Sequence, residues 1–190
     1  GTPITASTNN TKVIFDKTPP EDFTVGLLKA TGGNQVDGMW NLTNTGMDII
    51  IPVANDTTLK NGTIQLYGKV GSNSFEILGS ISTIFSNEIN ANKIISVSGT
   101  LIEGLTGFSE GQRIYIKAVM SDRPGNITEG SQSITEILID ETPASITPIS
   151  ILSSNNNTAL AKVGDTVSVS FTTSENLIDT AATISGQNLS

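Results

Sequence analysis

Histidine and cysteine are both missing from this 190-residue chain. With them go the usual general base, the thiol nucleophile and the preferred ligands of transition metals. A serine triad built on histidine is excluded for the same reason. Ser-x-x-Lys does not occur, and no Gly-rich loop is placed to cradle a phosphate. Paired carboxylates could still hydrolyse a glycoside, but that reaction depends on their separation in space, which a sequence does not give. The expectation is a protein that is not an enzyme.

What remains is oxygen chemistry. Calcium takes several oxygen ligands from carboxylates, carbonyls and Asn side chains. The candidates are Asp16 and Asp140, which head two recurring tetrapeptides, and Asp122 with Asn126, which share a turn. No contiguous EF-hand loop exists, because the stretch from Asp56 to Gly62 lacks its spacing. The same four residues could instead cap turns and face water. Trp40, the only tryptophan, follows a Gly-rich stretch. It could serve a loop-borne binding site or plug one end of the core.

Composition narrows the partners. The formal net charge of −8 repels nucleic acid and anionic membrane surfaces and leaves divalent cations as the plausible charged ligands. Charged residues make up 15% of the chain, against roughly 25% in a typical globular protein. Ser, Thr, Asn and Gly fill the difference, which suits a solvated β protein. No apolar stretch approaches the length of a membrane helix and no signal peptide is present, so an export address would lie outside this sequence.

The elements are organised by a repeat. Asp16-Lys17-Thr18-Pro19 returns as Asp140-Glu141-Thr142-Pro143, an offset of 140 − 16 = 124 residues. Each copy follows an apolar run, Val13-Ile14-Phe15 or Ile137-Leu138-Ile139, and precedes another. Proline lacks an amide hydrogen and fixes its own φ, so Thr-Pro ends a sheet ladder and sets the exit direction. The pair therefore reads as two joints. They divide the chain into residues 1–16, the last strand of a preceding module or the first of the next; 17–140, a complete module; and 141–190, the first part of a following one.

Within the central module the pattern is all-β. Phe23, Val25 and Leu27 alternate, and a long polar loop holding Trp40 follows. Met47 to Val53 reads as a strand near a sheet edge or its own end because of Pro52. Asn61-Gly62 marks a turn, and Thr63–Val70 with Phe75–Ile81 forms a hairpin around Gly71-Ser72-Asn73. Ser86 to Lys93 fits one helical turn or a loop. Ile94–Thr100, Arg113–Met120 and Ser133–Ile139 complete about seven short strands, the number expected of a β-sandwich. Past the second joint, Ile149–Leu152 and Val167–Phe171 are strands, the latter with three apolar residues facing inward. These strands are too few to close a sandwich alone, so more chain or another molecule is expected to cover them.

The ending of the central module carries a likeness. Tyr115-Ile116-Lys117-Ala118-Val119, the turn Asp122 to Asn126, a last strand and Asp140-Glu141-Thr142-Pro143 together resemble the close of bacterial immunoglobulin-like repeats in large surface adhesins and secreted multidomain proteins. Lys162 to Phe171 with Ser174-Glu175 is similar to the opening of another immunoglobulin-like subtype. The resemblance implies immunoglobulin-like β-sandwich modules in tandem, one complete and the flanking ones partial, at the extracellular face of a bacterial cell. It implies a stalk, spacer or filament-forming array whose partners are neighbouring modules of the same or identical chains, with surface glycans or proteins as adhesion targets.

The resemblance also places Asp122 and Asn126 near a module end, beside the joint acids Asp16 and Asp140, where calcium would sit. It further implies a Lys–Asn cross-link as an option, with Lys12 and Lys117 on strands. Asp56-Thr57-Thr58, Asp165-Thr166-Val167 and Asp179-Thr180-Ala181 resemble a bacterial O-glycosylation tripeptide, making Thr57, Thr166 and Thr180 candidate glycosylation sites. Seven Asn-x-Ser/Thr sequences occur as well, as chance allows in a chain this rich in Asn and Thr. Two other functions stay open: a carbohydrate-binding accessory module of a secreted enzyme, which needs exposed aromatics, and a filament subunit completed by strand donation.

Overall fold

The computed structural model describes residues 15–175, 183–184 and 187–188. The chain divides into two compact units, Gly1–Glu141 and Thr142–Ser190. In chain order the first carries β1 (Leu28–Thr31), β2 (Met39–Trp40), β3 (Gly46–Val53), β4 (Thr63–Val70), β5 (Glu76–Thr83), β6 (Ala91–Ser98), α1 (Gly99–Glu103), β7 (Arg113–Ser121), β8 (Ile127–Glu129) and β9 (Ile137–Ile139). The second carries β10 (Ile146–Ser153), β11 (Val167–Thr173), β12 (Thr183–Ile184) and β13 (Gln187–Asn188). The chain is all-β, and no helix among the described residues is long and apolar enough to cross a membrane.

Two sheets build the first unit. One has the order β1-β3-β6; the other runs β2-β9-β7-β4-β5, with β8 also on β7. Strict alternation makes the second sheet. Ile64, Leu66 and Val70 on β4 and Ile114, Ile116, Ala118 and Met120 on β7 all point inward and are buried. They meet Met47, Ile49, Ile51 and Val53 of β3 in one apolar cluster. Each fully buried aliphatic side chain contributes about 1.5–3 kcal/mol, so this two-sided alternation is what holds the sheets together.

The first strand departs from simple period two. Val25 is buried, but the next inward residue is Leu28, and Leu27 is 51% exposed. The cause is a bulge: Gly26 N donates to the Ile50 carbonyl at 2.8 Å while Ile50 N donates to the Leu27 carbonyl at 3.2 Å. Two residues then oppose one, which shifts the phase of the side chains. On the N-terminal side of the bulge the chain leaves β3 altogether. Val25 N donates to the Ser131 carbonyl at 3.1 Å and the Val25 carbonyl accepts from Ile134 N at 3.0 Å, so this segment runs beside the other sheet.

β3 lies between β1 and β6 rather than at an edge, and its proline is accommodated by register. Ladder parity aims the nitrogens of Asp48, Ile50 and Pro52 toward the β1 side, and the β1 ladder covers only Gly46 to Ile49. Pro52 therefore withholds a donor where no strand of that sheet follows. Asn61 takes φ 64°, and at Gly62 a Cβ would collide with the Ser121 carbonyl oxygen. Ser86 to Glu88 forms a single 3-10 turn, and Gly99–Glu103 is a short helix that buries Ile102.

Neither Pro19 nor Pro143 lies in a strand. The first joint packs on its own unit: Thr128 Oγ1 donates to the Pro20 carbonyl at 2.5 Å and Pro20 is buried. The reading of residues 1–16 as a strand falls almost wholly on residues outside the described ones.

In the second unit β10 and β11 pair antiparallel, as do β12 and β13. The expected inward stripe on β11 is open instead, with Val167 42% and Phe171 43% exposed. Ile149 and Ile151 of β10 are more exposed still. Among the described residues, the β10–β11 ribbon has no layer packed over these side chains.

Candidate functional site

The positions of β4 and β7 that do not face the core face out, and there the register sets unlike side chains opposite each other. Tyr67 pairs with Lys117, and Lys69 pairs with Tyr115. Phe75, just before β5, comes between them. Lys69 Nζ lies 5.0 Å from the Phe75 ring centroid and 5.1 Å from that of Tyr115. Lys117 Nζ lies 4.8 Å from the Phe75 centroid and 5.8 Å from that of Tyr67. All are within the range at which a ring quadrupole attracts a cation. Both tyrosines of the chain stand on this face.

Ion pairs frame the cluster. Lys117 Nζ is 2.6 Å from Glu129 Oε1, and Arg113 Nη1 is 2.6 Å from Glu136 Oε1. Hydrogen bonding to the Glu136 carboxylate pushes the Tyr115 phenol above its ordinary pKa, reinforced by burial and by the charge of Glu136 and opposed by Arg113. Lys69 has no carboxylate partner among the described residues. The face is thus a set of ammonium groups held over rings, with one cation left uncompensated.

The calcium candidates separate into two places. Asp122 Oδ1 accepts from Gly125 N at 2.8 Å and Asn126 N at 2.7 Å, and its Oδ2 accepts from Asn126 Nδ2 at 2.8 Å. Asn126 Nδ2 also reaches the Asp16 carbonyl oxygen at 3.3 Å. Asp16, Asp122 and Asn126 therefore meet at the turn after β7. Asp140 does not join them: its N donates to the Trp40 carbonyl at 2.8 Å, at the opposite end of β7. Nine residues of antiparallel strand span roughly 27 Å, so one ion cannot serve both places. Among the described residues no group of three or more acidic side chains is arranged to hold a metal.

The remaining candidates fall as follows. Thr57 is exposed at the start of the 3-10 turn Thr57–Leu59, whose Thr58 N and Oγ1 donate to Asp56 Oδ1 at 2.8 and 2.7 Å. Thr166 is exposed beside β11. Thr180 and Lys12 lie outside the described residues. Lys117 faces outward, engaged by Glu129. Trp40 is fully buried on β2, edge-on to Phe108 at 6.4 Å between centroids, and so fills the core instead of offering a platform. Its Nε1 has no hydrogen-bond partner among the described residues.

The Lys–aromatic face was missed in the sequence because it exists only across strands. Its one visible signal is that Tyr67 and Lys69, then Tyr115 and Lys117, occupy the polar phase of two alternating strands. The chain matches no protein-family model, no curated protein and no solved structure.

Proposed function

We propose that this chain is a stretch of tandem immunoglobulin-like modules from a long bacterial extracellular protein, with a structural role as stalk or spacer and adhesion through its exposed faces. The observation that supports the reading is the strand order. Taking β3, β4, β6, β7 and β9 as the second, third, fifth, sixth and seventh strands of such a module, β3 neighbours β6 in one sheet, and β4, β7 and β9 are neighbours in the other. That is the division expected of an immunoglobulin-like sandwich. The N-terminal stretch divides between sheets, with β1 antiparallel to β3 and β2 parallel to β9. Two features of antibody-type domains are missing: there is no disulfide, and the tryptophan sits on β2 instead of the third strand.

A spacer must hold its length under load, which antiparallel ladders running the height of a module favour. Pulling the intact chain from both ends should give one unfolding step for residues 15–141, lengthening it by roughly 40 nm at full extension. Release in several small steps, or none, would count against a load-bearing module. Protease treatment of intact source cells should release peptides of this chain; their protection until lysis would remove the extracellular assignment.

A further inference from the structure

We propose that the outer face built by Lys69, Phe75 and Tyr115, with Tyr67 and Lys117 beside them, is a binding site for a carboxylate-bearing sugar. This goes beyond the modular reading, which would survive its failure.

Three observations lead there. The first is charge. On a chain of net −8 this face concentrates Lys69, Lys117 and Arg113. Glu129 and Glu136 neutralise Lys117 and Arg113, and Lys69 is left over. One uncompensated ammonium engages one carboxylate at a time.

The second is preorganisation. Lysine ordinarily loses much rotamer freedom when it grips an anion. Here the Lys69 ammonium is already held between the Phe75 and Tyr115 rings, at 5.0 and 5.1 Å. The Phe75 ring is shared with Lys117, whose ammonium lies 4.8 Å from its centroid and is itself held by Glu129 at 2.6 Å. An arriving carboxylate meets a donor whose position is set before contact.

The third is the surroundings. The three rings are only half-buried, leaving apolar carbon beside the cation on a solvent-facing sheet. A pyranose presents C–H groups to such carbon while its carboxylate reaches the ammonium. The Tyr67 hydroxyl makes no hydrogen bond to another described residue and is available to a sugar hydroxyl. An aliphatic acid would use only the charge, and a neutral sugar only the rings.

The test uses the intact chain on beads carrying oligogalacturonate, with its methyl ester as the uncharged counterpart and an oligoglutamate peptide as the acid without sugar. Retention on oligogalacturonate is expected, at least tenfold above either control. Lys69→Gln should remove that difference, Phe75→Leu should reduce it several-fold, and Lys29→Gln, an exposed lysine of the other sheet, should leave it intact. Thermal melts of each variant show whether the fold persists. No retention of the wild type, equal retention on the methyl ester, or full retention by a folded Lys69→Gln variant would each overturn the proposal. Equal retention on oligoglutamate would assign the face to acidic proteins and overturn the sugar class.

Discussion

Asp122 and Asn126 are joined by three hydrogen bonds. The Asp122 carboxylate accepts from the Asn126 backbone N at 2.7 Å and from its side-chain Nδ2 at 2.8 Å, and Asp122 N donates to the Asn126 carbonyl at 3.0 Å. Asp122 is 3% exposed, so its carboxylate relies on these donors in place of water. The pair closes the turn between β7 and β8, and through Asn126 Nδ2 it holds the backbone at Asp16.

Asp122→Ala should therefore cost about 1–3 kcal/mol, because it removes three hydrogen bonds to a carboxylate that closes the turn. Asn126→Ala should cost less, since the backbone bonds survive it. Both carboxylate oxygens already accept N–H groups, so the turn closes without an ion, and added calcium should leave the melting temperature of the wild type unchanged. Chemical denaturation of the variants and a calcium titration check these outcomes. A rise of several degrees on adding calcium, lost in Asp122→Ala, would show that an ion belongs there.

Trp40 gives a prediction of the opposite kind. Its ring is fully buried and contributes apolar area, whereas its Nε1–H is buried with no acceptor among the described residues. Trp40→Ala should cost about 3–5 kcal/mol through the cavity it leaves. Trp40→Phe also removes volume but deletes the stranded donor, and should cost less than half as much. Urea melts of the two variants, compared at equal slope, measure the difference.

Lys93 points inward from β6, only 7% exposed in its side chain, and bonds Glu88 Oε1 at 2.7 Å. Glu88 Oε2 accepts from Phe85 N at 2.7 Å, and the Phe85 ring lies 5.5 Å from the same ammonium. Burial raises the Glu88 pKa, but the hydrogen bonds from Lys93 and from the Phe85 backbone, with the charge of Lys93, outweigh it and leave the carboxyl below its ordinary value. A depressed carboxyl favours folding above its unfolded pKa and loses that contribution as pH falls through the folded one. Stability should accordingly fall between about pH 5 and pH 3. Glu88→Gln should flatten that fall and lower stability near neutrality. Thermal melts across this range, wild type against variant, decide it; identical pH profiles would mean the pair contributes nothing.

The sequence carried the sheet that alternates cleanly. On β4 and β7 every second residue is apolar, so strand, face and core position follow together. It misplaced Leu27 because a bulge changes phase without changing composition. Gly26 is ambiguous between a bulge and a turn until Ile50 is seen to bond both sides of it. α1 escaped notice because five residues of Gly-Thr-Leu-Ile-Glu have no helical period to display, and only the burial of Ile102 distinguishes them from loop. The outer-face site was illegible for a different reason. Lys69 and Tyr115 are far apart in the chain, and only the antiparallel register sets them opposite each other. The acids were legible as residue types, while their separation across the length of β7 was not.

Pro52 bears on how the N-terminal segment chooses between sheets. Beyond the bulge, where Gly26 faces Ile50, continuing the ladder would set Val25 opposite Ile51 and Thr24 opposite Pro52, whose ring nitrogen has no hydrogen to donate. The segment pairs with the other layer instead, the Val25 carbonyl accepting from Ile134 N at 3.0 Å. A single absent proton thus acts as a railway switch: it makes the unwanted route unprofitable for the incoming chain and couples the two layers through the segment it diverts.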